Sequence, residues 1–457
     1  MNPSFGRDLT TGSIPRHLIQ FALPILIGNL LATGYGIINA IWVGNLLGKE
    51  AVGAIAVSFP VFLVLVALCS GATLASSILV SKAYGAKNHG MIQSVVNHSW
   101  TLAIVMIGAV TAGGLLSVEP VLWLLGTPSA IMPLAVDYLT IMVAGFAFLY
   151  VSNLIAAVLR GIGDTMVPMI FMILSIVINA VLDPLLIMGA GPIPSLGLNG
   201  AAYASLIASG TATILGMFYV RRKYGKEPIH PTGLMYERNM IMTILKIGLP
   251  SFLQQLLVSL GYAFITVFVN LFGAASIAAF GIASRLDGII AMPAMAIMMA
   301  VSTLTAQNLG AGKPERIKDV FRWGILVNIP VILLISLLCL SFPEMVMRLF
   351  VSDAEVIRAG IDYLRIVGAG YLFFILFYVS NGIIMGTGKT MVTMAISFVS
   401  LCVIRIPLAA WLSQTGLGIR GIWYAIVISF AVTAVVSLGY YLSGRWKREK
   451  ATTAAAG

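Results

Sequence analysis

The chain is poor in charge, and that scarcity settles its class before any motif is read. Only 9% of its 457 residues are Asp, Glu, Lys or Arg, against 59% hydrophobic, and the mean hydropathy of +1.00 lies outside the soluble range. Apolar stretches long enough to cross a bilayer recur along it, which excludes a soluble core. No long hydrophilic stretch is left in which a soluble domain would fold. Cysteine is scarce too. Cys69, Cys339 and Cys402 all sit in apolar segments and read as small buried hydrophobes. With four histidines and no Cys-x-x-Cys or Cys/His spacing, neither a metal site nor a resident cofactor is expected. An Asp-rich motif, a His-Glu-x-x-His pair and paired intramembrane aspartates are also missing, so a membrane-embedded enzyme is not expected. The first sixteen residues are polar and lack a short apolar core with a cleavage site. The first span is therefore expected to serve as the insertion signal.

A net charge of +11 would suit nucleic acid, but its distribution argues for a membrane instead. Arg221, Arg222, Lys223 and Lys226 follow one span, and Lys313, Arg316, Lys318 and Arg322 follow another. Arg445, Lys447, Arg448 and Lys450 close the chain, while the loops at 188–195 and 272–275 carry no Lys or Arg. This alternation is the positive-inside pattern and puts both termini in the cytoplasm. A nucleic-acid partner is not expected; the lipid bilayer is.

What the chain does have is a repeat, at a shift of about 225 residues. Leu249-Pro250 answers Leu23-Pro24, Gly310-Ala311 answers Gly85-Ala86, and Asp362-Tyr363-Leu364 answers Asp137-Tyr138-Leu139. The block Gly161-Ile162-Gly163-Asp164-Thr165-Met166-Val167 returns as Gly386-Thr387-Gly388-Lys389-Thr390-Met391-Val392, and Gly197, Gly200 and Tyr203 return as Gly418, Gly421 and Tyr424. Apolar run length places twelve spans, the first six at 17–44, 51–81, 94–116, 134–159, 166–189 and 198–219. The second six fall at 240–272, 277–306, 320–342, 357–385, 391–412 and 419–442. The expected fold is an all-α integral membrane protein. Residues 1–220 form an amino-terminal six-helix lobe, 221–239 a cytoplasmic linker and 240–457 a carboxy-terminal lobe. Six is even, so both copies enter from one face and should be related by a two-fold axis along the membrane normal. Prolines lie inside many spans, among them Pro60, Pro168, Pro184, Pro293, Pro330 and Pro407; Pro24 and Pro250, at matching places, predict a shared bend.

Few charges lie within the spans, so each one counts. Asp183 sits mid-span, where an acid costs about 2.5–3.5 kcal/mol on insertion scales and usually faces a cavity or a partner. Asn179 is one helical turn before it and shares its face. A carboxyl with an amide one turn away is suited to a proton or a sodium ion; the plainer alternative is a hydrogen-bonded pair that merely holds two helices together. On the first span Asn39 follows Tyr35 by one turn, Asn29 lies on the same span, and spacing does not rank the two amides. In the second half Arg285 and Asp287, two apart on the eighth span, point to different sides, and Arg405 lies on the eleventh. A cavity lining and an inter-helix salt bridge are both open for them. The Gly161-Ile162-Gly163-Asp164-Thr165 block has no preceding strand and no Gly-Lys-Ser/Thr ending, so it reads as an interhelical turn and not as a phosphate loop. The 22 methionines suit either a forgiving binding surface or ordinary packing.

The Leu-Pro opening, Ile38-Asn39-Ala40-Ile41-Trp42-Val43-Gly44, Gly85, Arg160-Gly161-Ile162-Gly163-Asp164-Thr165 and Gly197-Leu198-Asn199-Gly200-Ala201-Ala202-Tyr203-Ala204 together resemble the multidrug and toxic compound extrusion (MATE) family, closest to its DinF-like bacterial branch. That resemblance implies two six-helix lobes around a V-shaped cavity in the bacterial cytoplasmic membrane. It implies export of cationic amphiphilic drugs or dyes in exchange for protons, or sodium, by a single chain acting as a monomer. It also implies the site. Asp183, Asn179 and Asn39 would couple to the ion. Tyr35, Asn39, Asn153, Asn179, Asp183, Ser205 and Asp287 would meet the substrate. Asn39 departs from the family pattern, which commonly has Asp there; Asn has nearly the shape of a protonated Asp but does not titrate. The acidic pair of NorM-type members is not evident in the second half. A flippase for a lipid-linked saccharide is the alternative transporter, and it would call for a cationic cavity built from Arg285, Arg365 and Arg405. A channel is disfavoured, because no pore ring repeats.

Overall fold

A computed structural model describes residues 6–189, 191, 194–225 and 228–447. Lys226, Arg448 and Lys450, counted above among the basic flanks, lie outside the described residues. Long apolar runs in a medium without water must satisfy their backbone internally, so the described chain is helical throughout, with no strand. The first repeat contains α1 (Ile14–Leu47), α2 (Lys49–Gly85), α3 (His89–Leu124), α4 in two arms (Met132–Ala144 and Phe146–Gly161), α5 (Met166–Met188) and α6 (Gly197–Tyr224). The second contains α7 (Arg238–Val269), α8 (Ala274–Gly310), α9 (Arg316–Ser341), α10 in two arms (Ala354–Gly370 and Leu372–Gly386), α11 (Thr390–Ser413) and α12 (Ile419–Leu442). Among the described residues ten helices are long and apolar enough to span a membrane, and counting each bent pair as one span brings the total to twelve.

Several helices outrun the apolar stretches that announce them. The third extends to Leu124, past the expected end at 116, because Glu119 and Pro120 end the apolar run without ending the helix. Pro24 and Pro250 lie inside helices that continue through them. Breaks not marked by proline occur in α4, by 41° after Ala144, and in α10, by 47° after Gly370. Gly145 and Tyr371 stand at these breaks, one residue out of register with the shift that pairs Tyr138 with Tyr363, so the repeat conserves the break and not its residue. A short helix, Pro343–Arg348, unannounced by the apolar pattern, precedes α10.

Two compact units emerge. The first comprises Met1–Asp8 and Pro24–Gly248; the second comprises Leu9–Leu23 and Leu249–Gly457. The start of α1 thus belongs to the second unit. There Leu9 is fully buried, its N–H donating to Gln307 Oε1 and its carbonyl accepting from Asn308.

Within the first unit, α5 and α6 make the closest pair. They pack backbone to backbone because Gly200 has no side chain: a Cβ there would lie 2.4 Å from the Leu186 carbonyl oxygen. Gly421 repeats the device in the second unit, with the Leu412 oxygen 2.5 Å from a would-be Cβ. The interhelical turns repeat as well, Gly163 and Gly388 having φ of +86° and +85°, values that only glycine adopts without strain. Asp164 then accepts the Met166 and Val167 N–H groups that open α5, and its other oxygen accepts the Tyr224 hydroxyl at 2.7 Å. The segment leading to α7 lies along α3. His98 Nε2 accepts the Glu237 N–H at 3.0 Å, Asn97 accepts the Thr232 N–H, and Thr101 exchanges hydrogen bonds with Met235. In the second unit Phe280 stacks on Trp423 while Tyr363 meets that indole edge-on. Leu116, Trp123 and Phe218 remain exposed, as surface that faces acyl chains should be.

Candidate functional site

Asp183 is fully buried in the first unit. Helical spacing builds the site around it. Tyr35 and Asn39, one turn apart on α1, present side by side, and Asn179 and Asp183 do the same on α5. Asp183 Oδ2 accepts the Tyr35 hydroxyl and the Asn39 amide, the latter at 2.7 Å. Its Oδ1 accepts the Asn179 amide at 3.0 Å. From α6, the Ser205 hydroxyl donates to Asn179 Oδ1 at 3.2 Å and fixes that amide with its N–H toward the acid. The Asn39 amide also donates to the Tyr35 oxygen at 3.1 Å.

A buried carboxyl left without donors would be costly, and here each oxygen has one or two. All of those donors are neutral. No Lys or Arg among the described residues bonds Asp183, so nothing in this unit permanently cancels its charge. Such a group is free to exchange a proton, a metal cation or an ammonium ligand, each bringing the missing positive charge. Asn39 gives the acid a donor that an ionised Asp in its place would not.

The structure brings together Tyr35, Asn39, Asn179, Asp183 and Ser205, and leaves out Asn153, whose amide donates to the Leu149 carbonyl of its own helix. Asn29 takes no part either. Tyr138 was not among the expected residues, yet it lies close enough to Asp183 to interact with its charge. The repeat carried a signal for it, since its counterpart Tyr363 holds the acid of the second unit.

That acid is Asp287, 3% exposed, whose Oδ2 and Oδ1 accept the hydroxyls of Tyr363 and Tyr371, both at 2.5 Å. Among the described residues it forms no salt bridge. It lines a cavity of about 120 Å³ that Arg405 also lines. Arg285 is exposed and contributes nothing to that cavity.

Two stretches of the chain, residues 24–185 and 250–411, each match the family model described as MatE. The chain is a member of the MATE family. It is 34% identical over 452 residues to the probable multidrug resistance protein YpnP of Bacillus subtilis, covering 98% of this chain and 99% of that protein. The FAD transporter of Shewanella oneidensis is 28% identical over 451 residues, 98% of each. Among solved structures, a MOP superfamily transporter from Pyrococcus furiosus, whose reversed binding-pocket polarity suggests a different function, matches with a TM-score of 0.90 and 25% identity, covering 98% of this chain and all of that one. A MATE structure in the bent conformation matches at 0.89 and 25%, covering 96% and 97%. This MATE chain is therefore a multi-pass membrane transporter of a family present in bacteria, not an enzyme.

Proposed function

We propose that this MATE chain is a secondary active exporter of cationic amphiphilic compounds. It works as a monomer in the bacterial cytoplasmic membrane, with both termini in the cytoplasm. Export is by alternating access in exchange for protons, with sodium as the second candidate ion. The observation that carries this reading is the buried Asp183 carboxyl held only by neutral donors. A bound cation and a bound proton neutralise the same group, so each lowers affinity for the other, and a ligand shifts the two states only by its differential affinity for them. Tyr35, Asn39, Asn179 and Ser205 orient the acid and supply the polar contacts. The names of the Bacillus subtilis relatives as multidrug resistance proteins support the drug-export reading.

A lipid-linked saccharide flippase is not favoured. Arg285 and Arg365 are exposed and Arg405 is buried in a cavity of its own, so the three do not form one cationic surface. Efflux of a cationic dye from proteoliposomes, under an imposed proton or sodium gradient, tests the proposal with the parent chain and Asp183→Asn. The parent should respond to one gradient and the variant to neither. Unimpaired gradient-driven efflux by the variant would overturn the assignment.

A further inference from the structure

The second unit has a polar demand that the proposed export cycle at Asp183 does not use. Arg405 is only 6% exposed. Its Nε donates to the Ser429 hydroxyl at 2.7 Å, and its guanidinium carbon lies 4.9 Å from the Phe430 ring centre. Guanidinium has five N–H donors in a fixed fork. Here one is engaged, and the terminal amino groups make no hydrogen bond within the described chain. Arg405 lines the cavity of about 120 Å³, and its terminal donors have no acceptor in the described chain.

Asp287 lines the same cavity but does not fill that need. Its oxygens are taken by Tyr363 and Tyr371 at 2.5 Å, and it forms no ion pair with Arg405. The unmet requirement at the guanidinium is therefore for hydrogen-bond acceptors. A planar carboxylate answers the two terminal amino groups with two parallel hydrogen bonds. The remaining lining defines the rest of the ligand. Phe374, Phe377, Tyr378 and Phe430 supply aromatic walls, and Ser397 and Ser400 supply hydroxyls. In volume the space resembles the cavities of about 150 Å³ that accept a benzene ring.

The backbone is unusual at this point as well. Val399–Arg405 winds as a π-helix inside α11, a departure from regular helix that frequently accompanies functional sites. It brings Ser400, Leu401 and Arg405 to one lining. Each repeat thus buries one charge in its fifth span, an acid at Asp183 in the first and a base at Arg405 in the second.

We infer that the cavity bordered by Arg405 in the second unit is a binding subsite for a single-ring aromatic carboxylate, clasped by the terminal amino groups of that arginine. Its ligand class is opposite in charge to that proposed for Asp183, and the inference stands whether or not Asp183 drives export.

Calorimetric titration of the purified full-length chain in detergent tests it, with benzoate, benzamide and benzylammonium as probes. Benzoate should bind about tenfold or more tightly than benzamide, the expected margin for hydrogen bonds to a charged group, and more tightly than benzylammonium. Arg405→Gln should weaken benzoate by a similar factor, with Arg405→Lys in between because it keeps the charge but not the fork. Ala291→Phe fills the cavity without touching either charge and should abolish benzoate binding; it decides the matter if Arg405→Gln does not fold. Equal affinity for benzoate and benzamide, preference for benzylammonium, or benzoate binding retained by Ala291→Phe would each overturn the inference.

Discussion

Replacing Asn39 by Asp puts a second carboxyl against Asp183 and asks what the amide is for. In the parent chain the Asn39 amide nitrogen stands 2.7 Å from Asp183 Oδ2. In Asn39→Asp a carboxylate oxygen occupies that place. Two unit charges at that separation repel by about 6 kcal/mol at an effective dielectric constant of about 20, a population factor on the order of ten-thousandfold. The pair therefore cannot be fully ionised, and one proton stays shared between the two side chains. Above the pH at which Asp183 of the parent ionises, the empty variant therefore still holds a proton that the parent has lost, and a cationic ligand must displace it. Initial rates of dye efflux from proteoliposomes, taken across about four pH units on the cytoplasmic side, read this directly. The slope of log rate against pH should differ between the two chains by about one. Superimposable profiles would refute the reasoning, since they would mean that the site does not register a carboxyl at position 39.

Close helix packing makes its own forecast: Gly200→Ala puts a methyl 2.4 Å from the Leu186 carbonyl oxygen and Gly421→Ala puts one 2.5 Å from that of Leu412, so each should cost about 1–3 kcal/mol, measured as lowered thermal stability in detergent. Asp164→Ala removes the acceptor for two N–H groups at the start of α5 and for the Tyr224 hydroxyl; it should destabilise by about 1–2 kcal/mol, and Asp164→Asn, which keeps an acceptor oxygen, by clearly less. His98→Ala deletes the acceptor for the Glu237 N–H, and trypsin should then cut after Arg238 several-fold faster than in the parent.

Twelve spans and a twofold repeat were legible because lipid imposes length and hydropathy on each helix, and because Gly200 and Gly421 mark the same close approach in both copies. Helix ends were less legible. A hydropathy run stops at a polar residue such as Glu119, whereas the backbone ladder of α3 continues for another turn. The breaks in α4 and α10 escaped because proline was the expected signal, yet Pro24 and Pro250 sit in helices that continue through them and the breaks occur at Gly145 and Tyr371. At the site, one-turn spacing paired Tyr35 with Asn39 and Asn179 with Asp183, but no spacing tells which helix faces which, so Asn153 was expected there on resemblance alone. The role of Arg405 was illegible for a related reason: its cavity is assembled from α7, α8, α10, α11 and α12, and a π-helical turn sets the register that turns it inward.

The central claim is that a bound cation and a proton exchange at Asp183, and proton release on ligand binding tests it most directly. Cationic dye is added to the purified chain in weakly buffered detergent solution, and pH is followed against dye bound, for the parent and for Asp183→Asn. Protons should leave as dye binds to the parent, up to about one per dye, and none should leave the variant. Equal release from both chains would contradict the claim; so would tight dye binding to the parent with no proton release at any pH where transport is proton-driven.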